Sequence, residues 1–164
     1  MRSEFKWVYG ILFVLLILLA IFLVSVQGFT LNKLEYRLDK DGNALVTGSY
    51  NLTIVERIWL LFPSTKNGVT EIIRDEYGPE AEIITINDNF TQFIIPGWAT
   101  VLDNQTIQTP TINFENTKKR MDQLWFSSLL NIDYSPRITT IIAPDESTSS
   151  YTEMMVIKAH TLHR

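Results

Sequence analysis

Between Trp7 and Val26 the chain carries no charged side chain, and from Ile11 to Val26 only Ser25 is even weakly polar. The run Val8 to Gln27 holds 20 residues. At about 1.5 Å per helical residue it matches the roughly 30 Å hydrocarbon layer of a bilayer. A buried core helix is rarely uncharged on every face for five turns. Trp7 and Tyr9 stand at its start, where amphipathic rings favour the membrane interface. The run therefore reads as a membrane-spanning helix, and it divides the chain into a signal anchor, 1–28, and a domain, 29–164.

A cleavable signal peptide competes with this reading, since Arg2 and Lys6 form a basic start and Val26-Gln27-Gly28 offers small residues for cleavage. Its apolar region is, however, longer than the roughly 7–15 residues usual in signal peptides, which favours retention. A pilin-like leader fits poorly: Leu15 stands where a bacterial pilin has glutamate, and Tyr9 where an archaeal one has a basic residue before Gly10. Flanking charges barely discriminate orientation, with Arg2 and Lys6 on one side and Lys33, Arg37 and Lys40 on the other. The short N-terminal tail favours a domain outside the cytoplasm. So do three glycosylation sequons, at Asn51, Asn89 and Asn104.

Of 14 basic and 18 acidic residues, Arg2, Lys6 and Glu4 precede the run, leaving the domain with 12 and 17. That acidic balance speaks against nucleic acid as a partner, which needs a basic face. With no cysteine, disulfides and thiolate chemistry are excluded.

Within the domain, Leu34, Tyr36 and Leu38 alternate with polar residues, and Val46, Tyr50, Leu52 and Ile54 resume the pattern after Asp39-Lys40-Asp41-Gly42-Asn43. This predicts a hairpin around a tight turn, with Asn51 toward solvent. Asp39, Asp41 and Asn43 also sit at alternate positions, as in a calcium loop. Glycine falls fourth rather than sixth and Tyr50 replaces the closing glutamate, so a hairpin turn is the better reading.

From Ile54 two readings stand. Thr53 and Glu56 match a capping box, with Pro63 ending the helix; alternatively Ile58 to Phe62 is a buried strand. Asn67-Gly68 predicts a turn, and Val69 to Tyr77 a short helix stopped by Gly78-Pro79. The acidic residues Glu71, Asp75, Glu76, Glu80 and Glu82 read as a solvated face. Strands follow at Glu82–Ile86, Phe90–Ile95, Trp98–Leu102 and Thr106–Phe114, with turns at Asn87-Asp88-Asn89 and Asp103-Asn104. From Asn116 to Leu130 a helical stripe of Met121, Leu124, Trp125 and Leu129 predicts an amphipathic helix packed on the sheet. Arg137–Ala143 and Tyr151–Leu162 are the last strand candidates, around a polar loop at Pro144–Ser150.

The expected fold is an N-terminal transmembrane helix plus a mainly-β domain, sandwich-like or α+β. No motif supplies a catalytic constellation, a phosphate loop or a cofactor site. His160 and His163 lack partner ligands at metal spacing and read as solvated, and Ser147, Ser149 and Ser150 read as loop residues. Trp59, Phe62, Trp125 and Phe126 are the candidate partner contacts. The functional expectation is a non-enzymatic, membrane-anchored interaction domain, an accessory subunit of a membrane or surface assembly. It would engage the lipid bilayer and a protein partner or further copies of itself. The alternatives are a pilus-like subunit and a metal-binding or hydrolytic surface protein.

Overall fold

The computed structural model describes residues 13–16, 29–123 and 135–164, and its framework is the expected hairpin. Strand β1 (Thr30–Leu38) pairs antiparallel with β2 (Ala44–Asn51), from Thr30 opposite Asn51 to Leu38 opposite Ala44. The turn holds itself together. The Asp39 carboxylate accepts the N–H groups of Asp41 and Asn43, each at 2.9 Å, and the Asn43 side-chain amide at 2.8 Å. Gly42 has φ of 87°, in the region that favours glycine. Its carbonyl accepts the Ala99 N–H at 2.9 Å, which ties the turn to a distant loop.

The hairpin lies at the centre of a six-stranded sheet ordered β3-β4-β2-β1-β8-β9. β3 (Glu82–Ile86) and β4 (Phe90–Ile95) form a second hairpin on the β2 side. On the other side β8 (Ile138–Ile142) runs parallel to β1, and β9 (Thr148–Thr152) turns back antiparallel along it. Strand periodicity sends alternate residues to opposite faces. One cross-strand row reads Ser149, Ile141, Tyr36, Val46, Phe93 and Ile83, and the neighbouring row Ser150, Thr140, Glu35, Thr47, Gln92 and Thr85. The first row faces the core, where Tyr36, Val46 and Ile141 are fully buried. The second is polar, and Gln92 donates across it to Thr47 Oγ1 at 3.2 Å.

After β2, α1 (Ile54–Leu60) and α2 (Pro63–Tyr77) follow in immediate succession. The capping box forms as spaced: Thr53 N–H donates to Glu56 Oε2 at 2.7 Å, and Glu56 N–H to Thr53 Oγ1 at 3.3 Å. Helix therefore prevails over strand at 54–60. Pro63 begins the next helix, where its missing N–H costs nothing. Asn67-Gly68 is not a turn but lies inside α2. The burial of Ile72 and Ile73, with Val69 and Tyr77 packed on the core, outweighs the weak helix preference of that dipeptide. Gly78, at φ of 102°, ends α2 by donating its N–H to the Arg74 carbonyl at 2.8 Å. Among the described residues α2 packs into the core through Ile73, and Phe114, which opens the next helix, joins the same cluster.

Two small sheets complete the fold. β5 (Thr100–Val101), β6 (Thr106–Gln108) and β11 (Thr161–His163) form one, and β7 (Ile112–Asn113) with β10 (Val156–Ile157) the other. The expected strand at 151–162 is thereby split three ways. Glu153 at φ of 53° breaks it first, and the chain then crosses from sheet to sheet. Ile107, Ile112, Ile157 and Leu162 join Tyr36, Phe93 and Ile141 in a single apolar cluster, so the small sheets and the large one share one core. α3 (Phe114–Met121) is capped by Asn113, which accepts the Glu115 N–H at 2.9 Å, and its Arg120 pairs with Asp75 of α2 at 3.5 Å. The expected continuation of this helix to Leu130 lies outside the described residues.

Among the described residues no helix is long and apolar enough to cross a membrane. The run 8–27 lies outside them, apart from 13–16, which are helical and exposed.

Candidate functional site

Among the described residues, two surfaces present apolar groups with defined geometry, one at each end of the central hairpin. Along β1 the distance between its ends is about 27 Å, at roughly 3.4 Å per residue.

The first surface is a pocket at the turn end. The last turn of α2 brings Glu76 and Tyr77; the β4–β5 loop brings Pro96, Gly97 and Trp98; the stretch before and into α3 brings Pro110 and Phe114. Together they enclose about 300 Å³. Its aromatic wall is ordered by stacking: Trp98 lies on Tyr36 at 4.7 Å between centroids, with planes 15° apart. Tyr77 tilts against Phe93 at 5.5 Å. Beneath them the Tyr36 and Tyr77 hydroxyls share a hydrogen bond of 2.9 Å. Burial pushes the Tyr77 phenol up to about 12, and raises Tyr36 well above its usual value, with the neighbouring phenol adding to the shift. Both stay neutral across the physiological range. Glu76 is held 3.9 Å from Arg120, which also faces Asp75. Aromatic and proline walls beside a carboxylate suit an apolar side chain or a proline ring better than a reacting group.

The second surface is α1. Ile54, Ile58 and Leu61 are 72%, 50% and 79% exposed, whereas Glu56 on the same stretch is 5% exposed. Glu56 Oε1 accepts the Phe29 N–H at 2.6 Å, so the helix is fastened to the first residues after the apolar run.

The histidines divide. His160, expected in solvent, is instead half-buried and built into the fold. Its Nδ1 lies 3.2 Å from both Thr109 Oγ1 and the Lys158 carbonyl, and its Nε2 3.1 Å from the Tyr151 hydroxyl. Both ring nitrogens therefore have partners, supplied by the residue after β6, by β9 and by the link between β10 and β11. His163 is exposed. Among the described residues no three His, Cys, Asp or Glu side chains cluster as metal ligands would.

The other expected residues fall apart in space. Phe62, at 50% exposure, follows α1; Trp59 lies within α1, and Trp125 and Phe126 lie outside the described residues. Asn51, Asn89 and Asn104 are all exposed. Two of the sequon threonines have structural uses of their own, Thr53 in the cap and Thr91 beside the Tyr50 hydroxyl at 3.0 Å. Asp39, weighed as a calcium ligand, spends its carboxylate on its own turn. The residues that sequence reasoning missed are Tyr77, Trp98 and Phe114. The available signal was the bracketing of aromatics by Pro96-Gly97 and Pro110, which marks loops held over a core.

No known protein family, curated protein or solved structure matches this chain.

Proposed function

We propose that this chain is a single-pass, membrane-anchored protein whose extracytoplasmic domain binds a protein partner, as an accessory subunit of a membrane or cell-surface assembly. The run 8–27 is the anchor. The domain is sandwich-like, its large sheet forming one layer and α2 with the small sheets the other. The observation that carries the binding role is the aromatic pocket of Tyr77, Trp98 and Phe114, open at the end of the hairpin away from Phe29. A site there faces away from the bilayer, where a partner's loop or proline-rich segment reaches it. The exposure of Asn51, Asn89 and Asn104 suits a domain that meets the glycosylation machinery.

A photocrosslinking residue placed at Thr117, on the helix that lines the pocket, tests this in native membranes. A discrete crosslinked band from Thr117, absent with the probe at Asp145 and lost in Trp98→Ala, is the expected result. Equal, diffuse labelling from both positions would sink the idea. Protease added to sealed membranes reports the side: the domain should be cut without lysis.

A second reading, a filament subunit, is favoured by β9. It ends the large sheet, and its Thr148–Thr152 stretch carries neither charge nor proline to discourage a further strand. Finding the protein in sheared filament fractions would favour it over the first reading.

A further inference from the structure

We infer that α1 lies in the membrane–water interface, with Ile54, Ile58 and Leu61 immersed in the lipid of the bilayer crossed by residues 8–27; this rests on the anchor reading above. Ile54 and Ile58 fall at i and i+4, one face of α1, and Leu61, in the turn that closes the helix onto the Ile58 carbonyl, follows at i+7. In a water-soluble domain such a stripe faces the core. Here Glu56 is the buried side chain, held at 5% exposure by the Phe29 and Thr53 N–H groups, and the stripe faces out at 72%, 50% and 79% exposure. Scattered exposed leucines need no explanation, but an aligned apolar stripe on a helix whose acid points inward does.

Position identifies the occupant. Phe29 is two residues beyond Gln27, so its N–H lies at most about 7 Å of chain from the end of the span. The 2.6 Å hydrogen bond from that N–H to Glu56 holds the first turn of α1 at the point where the chain leaves the bilayer. Chain direction agrees: β1 begins and β2 ends here, with Thr30 opposite Asn51. Three side chains expose far less than the roughly 1,200 Å² of the smallest stable protein interfaces, which disfavours a second copy. A lipid surface asks for less. The anchor already supplies proximity, and a short amphipathic helix need only sink its apolar face about 5–10 Å into the headgroup boundary. The consequence is orientation. With the covalent span and α1 as two attachments, the domain cannot swing freely, and its pocket is kept at the far end of the hairpin.

The sequence has no cysteine, so single labelling sites can be introduced cleanly. The full chain in phosphatidylcholine nanodiscs would carry a spin label at Ile58→Cys or Leu61→Cys. Lys40→Cys, in the hairpin turn, serves as the aqueous control, and Leu16→Cys, in the apolar run, as the depth control. Unchanged melting temperatures establish that each variant is folded. Expected are collision rates with a water-soluble nickel chelate severalfold lower at Ile58 and Leu61 than at Lys40, with oxygen collisions raised. Water-like values at both α1 sites, with Leu16 still deep, overturn the inference and leave the anchor standing. Water-like values at Leu16 remove the anchor and the inference together. Dipolar broadening between Leu61 labels of neighbouring copies shows a protein contact instead and also overturns it.

Discussion

Gly42 shows how much one residue decides. A side chain there meets two obstacles, a φ of 87° and the Ala99 carbonyl, which lies where a Cβ would go. Gly42→Ala should therefore cost about 1–3 kcal/mol, read as a lower urea midpoint with unchanged slope. Glu56 is the residue-scale counterpart at the other end. Its two carboxylate oxygens take the Thr53 and Phe29 N–H groups, so Glu56→Ala removes the acceptor of both and should cost about 1–3 kcal/mol. Glu56→Gln keeps one oxygen and should lose less; equal losses would contradict this account of the carboxylate. The Tyr36–Tyr77 pair gives a pH prediction. Both phenols ionise near 10 in the unfolded chain and higher in the folded one. Their contribution is complete below pH 10 and declines as pH rises from 10 through about 12. Denaturation midpoints measured over that range should fall, and fall less steeply in the double variant Tyr36→Phe with Tyr77→Phe.

Adjacent elements α1 and α2 differ in what they bury. α2 places Ile73 in the core, so Ile73→Ala should cost about 2–5 kcal/mol. Leu61→Ser, just beyond α1, should change the stability of the domain in water by no more than about 0.5 kcal/mol. Thermal melts of the two variants check the contrast; a large loss at Leu61 would mean that the domain itself covers that face. β3 and β9 differ similarly as sheet edges. β3 carries a register shift between Ile83 and Thr85, which interrupts its edge, whereas β9 pairs regularly with β8. That difference makes β9 the more regular of the two edge strands, the one on which the filament reading rests.

For the whole molecule the notable feature is a core shared across sheets. β10 has only two residues, yet its Ile157 is 2% exposed and belongs to the same cluster as Ile141 of the large sheet. Ile157→Ala should therefore cost about 2–5 kcal/mol, comparable to Ile141→Ala, and both variants should unfold in one transition by fluorescence and by circular dichroism. Separate transitions would show the small sheets to be independent of the large one. The same architecture puts the pocket and α1 at opposite ends of a paired hairpin, the separation on which the proposed partner site and the proposed lipid contact both rest.

Where sequence patterns are local they determined structure directly. The hairpin around Asp39–Asn43, the Thr53–Glu56 cap, the stop at Gly78, and the strands Glu82–Ile86 and Phe90–Ile95 all follow from residues within hydrogen-bonding reach along the chain. Tertiary structure decided the rest. Asn67-Gly68 became helix because Ile72 and Ile73 found a core to fill, and the 151–162 segment divided because its pieces found different partners. The parallel pairing of β8 with β1, and the meeting of Tyr77, Trp98 and Phe114, join residues far apart in sequence, for which no short-range periodicity exists. The outward stripe of α1 is the clearest case. Its spacing announced an apolar helix face, but only the burial of Glu56 against Phe29 decided that this face points away from the core.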